Sequence, residues 1–452
     1  MKKILSAFLC GLLCCTFLCG LVACTDDKKP GDDAVVFYYY GVESTLKTEF
    51  EAKIEKFEKE TGIKVKPIGI TKDSYNASMM TKITSKKADI DLVYLDQPLI
   101  AQYSSNLMNL DEYIVDNAES DEPILSAENN VGFKFNKNAF TKGAWNTNVY
   151  EGSVYGLPLT ITSSVLFYNV ATIKEALGLA TDEEAIAKVN AIKSWKDLES
   201  FAKEVDGLGS KYALFGGMGD GGYMGWYSQC FIGAAGGKLY DEQTKTVLPN
   251  DNGEITDAFN MIKYLYDNSP ESLRNSVEGF KGTNTKPAGK IIFNLSQPSV
   301  VKDYELPYTK IGAIPFPGKT EEIGSVSNMG GENLVILKKS QKKEQALKLM
   351  KYLYSEDCQK FFQKCTSNFS AVSKYATAET FTTNKESSMY QMYDTVRQQL
   401  ITAQVRPVVD GWLDINDNGI PKGINDFIKG EKSLEDAIAH IRTYANGVFA
   451  EE

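Results

Sequence analysis

AVVFYYYG (34–41), ESTLKTEFEAKIEKFEKETG (43–62), IKVKPIGI (63–70) and DIDLVYLDQ (89–97) decide the fold. Residues 34–40 form an unbroken apolar and aromatic run, the pattern of a strand covered on both faces. Glu43 and Ser44 open a helical stretch in which Leu46, Phe50, Ile54 and Phe57 share one face. Gly62 stops it, because only glycine takes a left-handed helix terminus without steric cost. Residues 63–70 alternate as a second strand, 75–85 read as a second helix and 90–95 as a third strand. The order βαβαβ predicts a parallel sheet with helices on both faces. Ligands of such sheets lie beyond the carboxyl ends of the strands, where this chain delivers Tyr39-Tyr40-Gly41 and Asp96-Gln97.

Working outward, a second α/β unit follows. Residues 165–168, 290–295 and 311–315 read as strands. Ser194 and Thr256 are expected to cap helices, the latter burying Ala258, Ile262, Leu265 and Tyr266. Ala346, Leu349, Met350, Leu353 and Tyr354 mark a strongly periodic helix, and Ser433 with Asp436 resembles a capping box. A chain of 452 residues, 43% hydrophobic and 24% charged, is too long for one compact core and too apolar for disorder, which predicts two lobes.

The formal charge of −10 lacks the basic footprint of a nucleic-acid reader, so no nucleic-acid partner is expected. One histidine, His440, argues against chemistry built on paired histidines. Lys2 and Lys3 precede an apolar run over 4–23 that ends in Leu21-Val22-Ala23-Cys24, the layout of an export signal. Twenty apolar residues could also anchor the chain across a bilayer, but the cysteine stands where the run stops. Leu-Val-Ala-Cys resembles the bacterial lipobox, which makes Cys24 the expected lipid-attachment site. Removal of residues 1–23 would carry the formal charge to −12, and residues 24–33, with Pro30 and Gly31, would form a solvated tether. Five of the eight cysteines lie at or before Cys24. Cys358 and Cys365, seven apart on one helix and so about 10 Å apart along its axis, are too distant to pair; they and Cys230 are expected as buried or half-buried thiols.

A family resemblance emerges from the order of several segments. FEKETGIKVK (57–66), DIDLVYLDQ (89–97), GSVYGLPLTITSSVLFYN (152–169), SWKDL (194–198), GAIPFPG (312–318), GGENLVILKKS (330–340), EQALKLMKYLYSED (344–357) and INDFIKGEKSLEDAIAHI (424–441) together resemble extracellular solute-binding proteins of ABC importers, specifically the maltose-binding-protein class called family 1. The likeness spans nearly all of 35–450. It implies a periplasmic-binding-protein type II-like fold: two α/β lobes joined by crossing hinge strands, with a ligand cleft between them. Crossings are implied near 156–162, 308–312 and 364–371. The N-lobe would comprise 34–158 and 312–363, the C-lobe 159–311 and 364–452. The implied protein is a monomer that partners a carbohydrate, the importer's permease subunits and, through lipid, the extracytoplasmic face of the membrane.

Sugars present apolar C–H faces and hydroxyl edges, so their sites pair aromatic platforms with carboxylates and amides. Tyr39, Tyr40, Glu43, Asp96 and Gln97 would supply these from the first lobe, although alternation turns only one of the two tyrosines inward. GGMGDGGYMGWYSQ (216–229) sets Asp220, Tyr223 and Trp226 among six glycines, and it lacks the lysine of a phosphate loop. The resemblance adds Thr162, Gln297, Glu332 and Trp412 with Asp414 as cleft residues. Residues 414–419 imitate half a calcium loop, but Asn425 stands where a bidentate glutamate belongs, so no metal is expected; nor is a cofactor. The leading expectation is a binding protein that closes on a neutral oligosaccharide and carries no catalytic residues. The alternatives are the same fold binding a polyamine or peptide, and a secreted carbohydrate-active enzyme with two carboxylates across the sugar.

Overall fold

A computed structural model describes residues 33–40, 46–70, 72–87, 89–275, 290–300 and 310–450. The leader, Cys24 and the tether up to residue 32 lie outside them, as does Glu43. The βαβαβ unit is present: β1 (Val35–Tyr40), α1 (Lys47–Thr61), β2 (Val65–Ile70), α2 (Lys72–Thr84) and β3 (Leu92–Asp96). Helix α1 buries Phe50, Ile54 and Phe57, and Gly62, at φ 72°, ends it by donating its N–H to Glu58 O at 2.9 Å. Strands β2, β1 and β3 lie parallel in that order. The sheet then continues with Glu332–Ile336, antiparallel to β3, and Leu157–Pro158.

A second sheet runs Tyr212–Phe215, Lys290–Ser296, Val165–Asn169, Ile311–Ile314. Val165–Asn169 is antiparallel to both its neighbours. Side chains of this second sheet enter two apolar cores. Val165, Phe167, Ile291 and Ile311 join the core of the first sheet, while Leu166, Tyr168, Ile292 and Phe293 join a second core closed by helices Gly221–Ala234, Glu254–Asp267, Ile420–Ile428 and Leu434–Ala450. Between the two sheets a small bridging sheet orders Phe369–Ser370, Thr160–Ser163, Asn328–Gly330 and Gln404–Val405.

The bridging strands relocate one crossing. The first stands, because Thr160–Ser163 follows Leu157–Pro158 of the first sheet and precedes Val165–Asn169 of the second. The second, expected at 308–312, falls at Asn328–Gly330; residues 308 and 309 lie outside the described set, and Ile311–Ile314 remains in the second sheet. A four-residue apolar strand does not specify its sheet by itself. Here Gly312 settles it, since any Cβ there would collide with the Tyr168 ring on the adjacent strand. The return expected at 364–371 coincides with Phe369–Ser370, which joins the bridging sheet beside Thr160–Ser163. The helix that follows, Ser388–Ile401, packs on Ile311–Ile314 and Val165–Asn169 of the second sheet, and Gln399 Oε1 accepts the Phe316 N–H at 2.8 Å.

Local capping follows sequence with one exception. Ser194 and Asp197 form a reciprocal capping box. Thr256, expected as a cap, lies inside Glu254–Asp267; Asn250 Oδ1 instead accepts from the Ile255 and Thr256 N–H groups at 2.9 and 3.2 Å. Cys230, Cys358 and Cys365 are buried thiols.

Candidate functional site

The carboxyl end of β3 places Asp96 beside the first residue of Glu332–Ile336, and the two acids oppose one another in register. Both are already engaged. Tyr40, at the end of β1, donates its hydroxyl to Glu332 Oε1, and Thr160 donates to Oε2 at 2.8 Å. Burial, reinforced by the charges of Glu332 and Asp96, pushes the Tyr40 phenol well above its ordinary pKa, so it stays a donor. Asp96 receives the Gln97 N–H at 2.8 Å and a two-pronged ion pair from Arg406, whose Nη1 lies 3.1 Å from Oδ2. Arg406 directly follows the bridging strand Gln404–Val405 and is only 6% exposed.

The second lobe contributes Trp226. Asp220 caps Gly221–Ala234 by accepting the Tyr223 N–H at 2.9 Å, and the half-buried indole projects two turns along from that cap. Its ring lies so close to Gly330 that a Cβ there would sit 2.6 Å from Cη2. The Arg406 guanidinium carbon is 5.3 Å from the ring centroid, within cation–π range. Arg406 thus links Asp96 of the first sheet to Trp226 of the second core. Gly330 pairs with Thr162, and Gly331, at φ 148°, sits against the Thr160 carbonyl where no Cβ fits.

Several buried polar atoms here have no protein partner: Gln97 Oε1 and Nε2, Thr162 Oγ1, Trp226 Nε1 and Arg406 Nε. Unmet buried donors and acceptors cost folding free energy, so such a concentration marks a surface completed by ligand or water.

The structure therefore gathers Tyr40, Asp96, Gln97, Thr162, Trp226 and Glu332, with Asp220 as the cap behind Trp226. Tyr39, Tyr223, Trp412 and Asp414 are engaged otherwise. Tyr39 is core, its ring 4.8 Å from that of Phe50, and burial pushes its phenol to about 12. Tyr223 is buried, stacked 4.0 Å from Tyr227, with its hydroxyl on Leu295 O at 2.6 Å. Gln297 is half-buried just past Lys290–Ser296. Trp412 is 0% exposed within the second core and offers no stacking face. Asp414 is exposed and bound to the Tyr444 hydroxyl at 3.0 Å and to Asn418 Nδ2 at 2.5 Å. Three residues on, Asp417 is the acid that feels Arg406 and Asp96; open to solvent on one side yet crowded by protein, its carboxyl is pushed up by desolvation.

Sequence reasoning missed Arg406, Asp417 and Gly330. The chain has four arginines, and one wedged between Val405 and Pro407 near a candidate tryptophan was the available signal.

The family model for the bacterial extracellular solute-binding proteins matches residues 43–360. Comparison with curated proteins returned no match. Among solved structures, the chain resembles a cyclic α-maltosyl-1,6-maltose binding protein from Arthrobacter globiformis (16% identity, covering 93% of this chain and 99% of that one, TM-score 0.71). It also resembles the substrate-binding protein Lmo0181 of Listeria monocytogenes, solved with cycloalternan (17%, 92% and 99%, TM-score 0.68). A third is the GacH receptor of Streptomyces glaucescens, solved unliganded and with acarbose (20%, 92% and 98%, TM-score 0.66). At these identities the likeness establishes the shared fold, and the family match extends over more than half of the sequence. The chain belongs to the bacterial extracellular solute-binding proteins.

Proposed function

We propose that this chain is the lipid-anchored extracytoplasmic receptor of an ABC importer, and that it captures a neutral carbohydrate between its lobes. The observation that carries this reading is the convergence of Trp226, Tyr40 and two fully engaged carboxylates on the bridging strands, among buried polar atoms lacking protein partners. An indole offers a sugar its apolar face, and the unmet donors and amide offer its hydroxyls their edges. The similar structures were solved with acarbose and cycloalternan, which supports a glycan here. Ligand touching both lobes favours the closed arrangement by its differential contacts, and a permease reads that state. The ligand is bound without being turned over. Among the described residues no helix is long and apolar enough to cross a membrane.

Calorimetry across neutral oligosaccharides, polyamines and sugar phosphates tests the ligand class. A neutral glycan should bind, come back chemically unchanged and lower the radius of gyration in small-angle scattering. Binding confined to sugar phosphates, or an unchanged radius at saturation, would refute the reading. Cys24→Ala should free the protein from membranes or leave its leader uncleaved.

A further inference from the structure

We propose that Arg406 sets the ligand class of this cleft: it occupies the cation site formed by Asp96 and the Trp226 indole, and so reserves the cleft for uncharged hydroxyl-bearing ligands over amines. The inference rests on the carbohydrate reading above and sharpens it.

An acid beside an aromatic face is a cage for ligand ammonium groups. Asp96 and Trp226 make such a cage, and the protein fills it with its own guanidinium. Arg406 bonds both Asp96 oxygens and lies 5.3 Å over the indole, which leaves the ring one face for a ligand. A planar five-donor fork suits that double duty better than an ammonium does.

Two of the unmet atoms, both donors, point the same way; Gln97 Oε1 and Thr162 Oγ1 accept from an ammonium as readily as from a hydroxyl and do not discriminate. Trp226 Nε1 and Arg406 Nε are buried donors without acceptors. An ammonium carries only donors and cannot satisfy them, whereas a hydroxyl or ring oxygen can. Anionic ligands would supply acceptors, but they meet an acidic surround. Asp96, Glu332 and Asp417 all stand near the single guanidinium, so the local charge balance among the described residues is negative. Cations are met by a cation, anions by surplus carboxylate, and neutral polyols are what remains.

The test titrates the membrane-free protein with maltotetraose and cycloalternan as neutral probes, and with spermidine and a glucosamine trimer as amines, following intrinsic tryptophan fluorescence and heat. Wild type should reject both amines. Arg406→Gln empties the cage and should admit them at least tenfold more tightly, while weakening neutral glycans about tenfold. Arg406→Lys should keep the amines out, a rescue that a merely structural role would not produce. Because Arg406→Gln leaves Asp96 uncompensated, Asp96→Asn/Arg406→Gln serves as the second variant: it removes both charges and should bind neither amine. Wild-type binding of spermidine, or an Arg406→Gln protein that is folded and still rejects amines, overturns the inference. Failure of every neutral glycan to bind wild type while the amine results hold would overturn the proposed function alone.

Discussion

Gly330→Ala separates the geometry of the ligand surface from the stability of the fold. Gly330 sits in a bridging strand opposite Thr162, and its φ is not in the left-handed region, so its backbone accepts alanine. The new methyl would lie 2.6 Å from Cη2 of Trp226, 3.3 Å from Cζ2 and 3.4 Å from Cζ3. Ordinary carbon contact requires about 3.5–4.0 Å, so the far edge of the indole must swing by roughly 1 Å. The strand cannot yield instead, because its neighbours on both sides are bonded to it. The swing lifts the ring from under Arg406, a contact worth about 0.5–1 kcal/mol at accessible sites, and tilts the face a ligand would stack on. Reduced freedom of the unfolded chain returns about 0.4–1 kcal/mol. Melting should therefore change little, while glycan affinity falls about tenfold, near 1.4 kcal/mol. Gly331→Ala is the contrast: at φ 148° and pressed on the Thr160 carbonyl, it meets backbone rather than side chain and should destabilise by several kcal/mol, about 1–3 from overpacking alone. Calorimetric titration beside thermal melts reads both. Unchanged glycan binding by Gly330→Ala would refute the placement of Trp226 in the ligand surface.

Trp412→Ala should act mainly on stability, losing about 3–5 kcal/mol by emptying a fully buried site; Trp226→Ala should leave the melting point nearly unchanged and weaken binding about tenfold. Burial pushes the Cys230 and Cys358 thiols up to about 11, so a protein starting after Cys24 should show no reaction with a thiol reagent near neutral pH until denaturant is added. Glu175, held down to about 2 first by Lys290 and then by Lys211 and Tyr212, contributes stability that is present above pH 4.5 and lost as pH falls toward 2; Glu175→Gln should flatten that acid limb in pH-dependent melts, modestly because the side chain is 40% exposed.

The sequence by itself determined the elements whose causes are local. The apolar run at 34–40, the i, i+4 spacing through Phe50 and Ile54, and the stop at Gly62 each act within a few residues, and the first βαβαβ unit formed as read. From that unit alone, Tyr40 and Asp96 were legible as strand-end residues, and they meet at Glu332, Tyr40 through its hydroxyl and Asp96 in register; the cap at Ser194 was visible because it too is local. Tertiary structure decided everything that depends on partners distant in the chain. Arg406 meets Asp96 across 310 positions, and neither residue's neighbours hint at the other. Short apolar strands such as Ile311–Ile314 fit either sheet until Gly312 meets Tyr168. Trp412 sits in a segment that resembled a stacking site, yet the helices of the second lobe close over it completely. Periodicity reports that a face will be buried; which surface buries it depends on the summed packing of side chains brought together only when the chain folds.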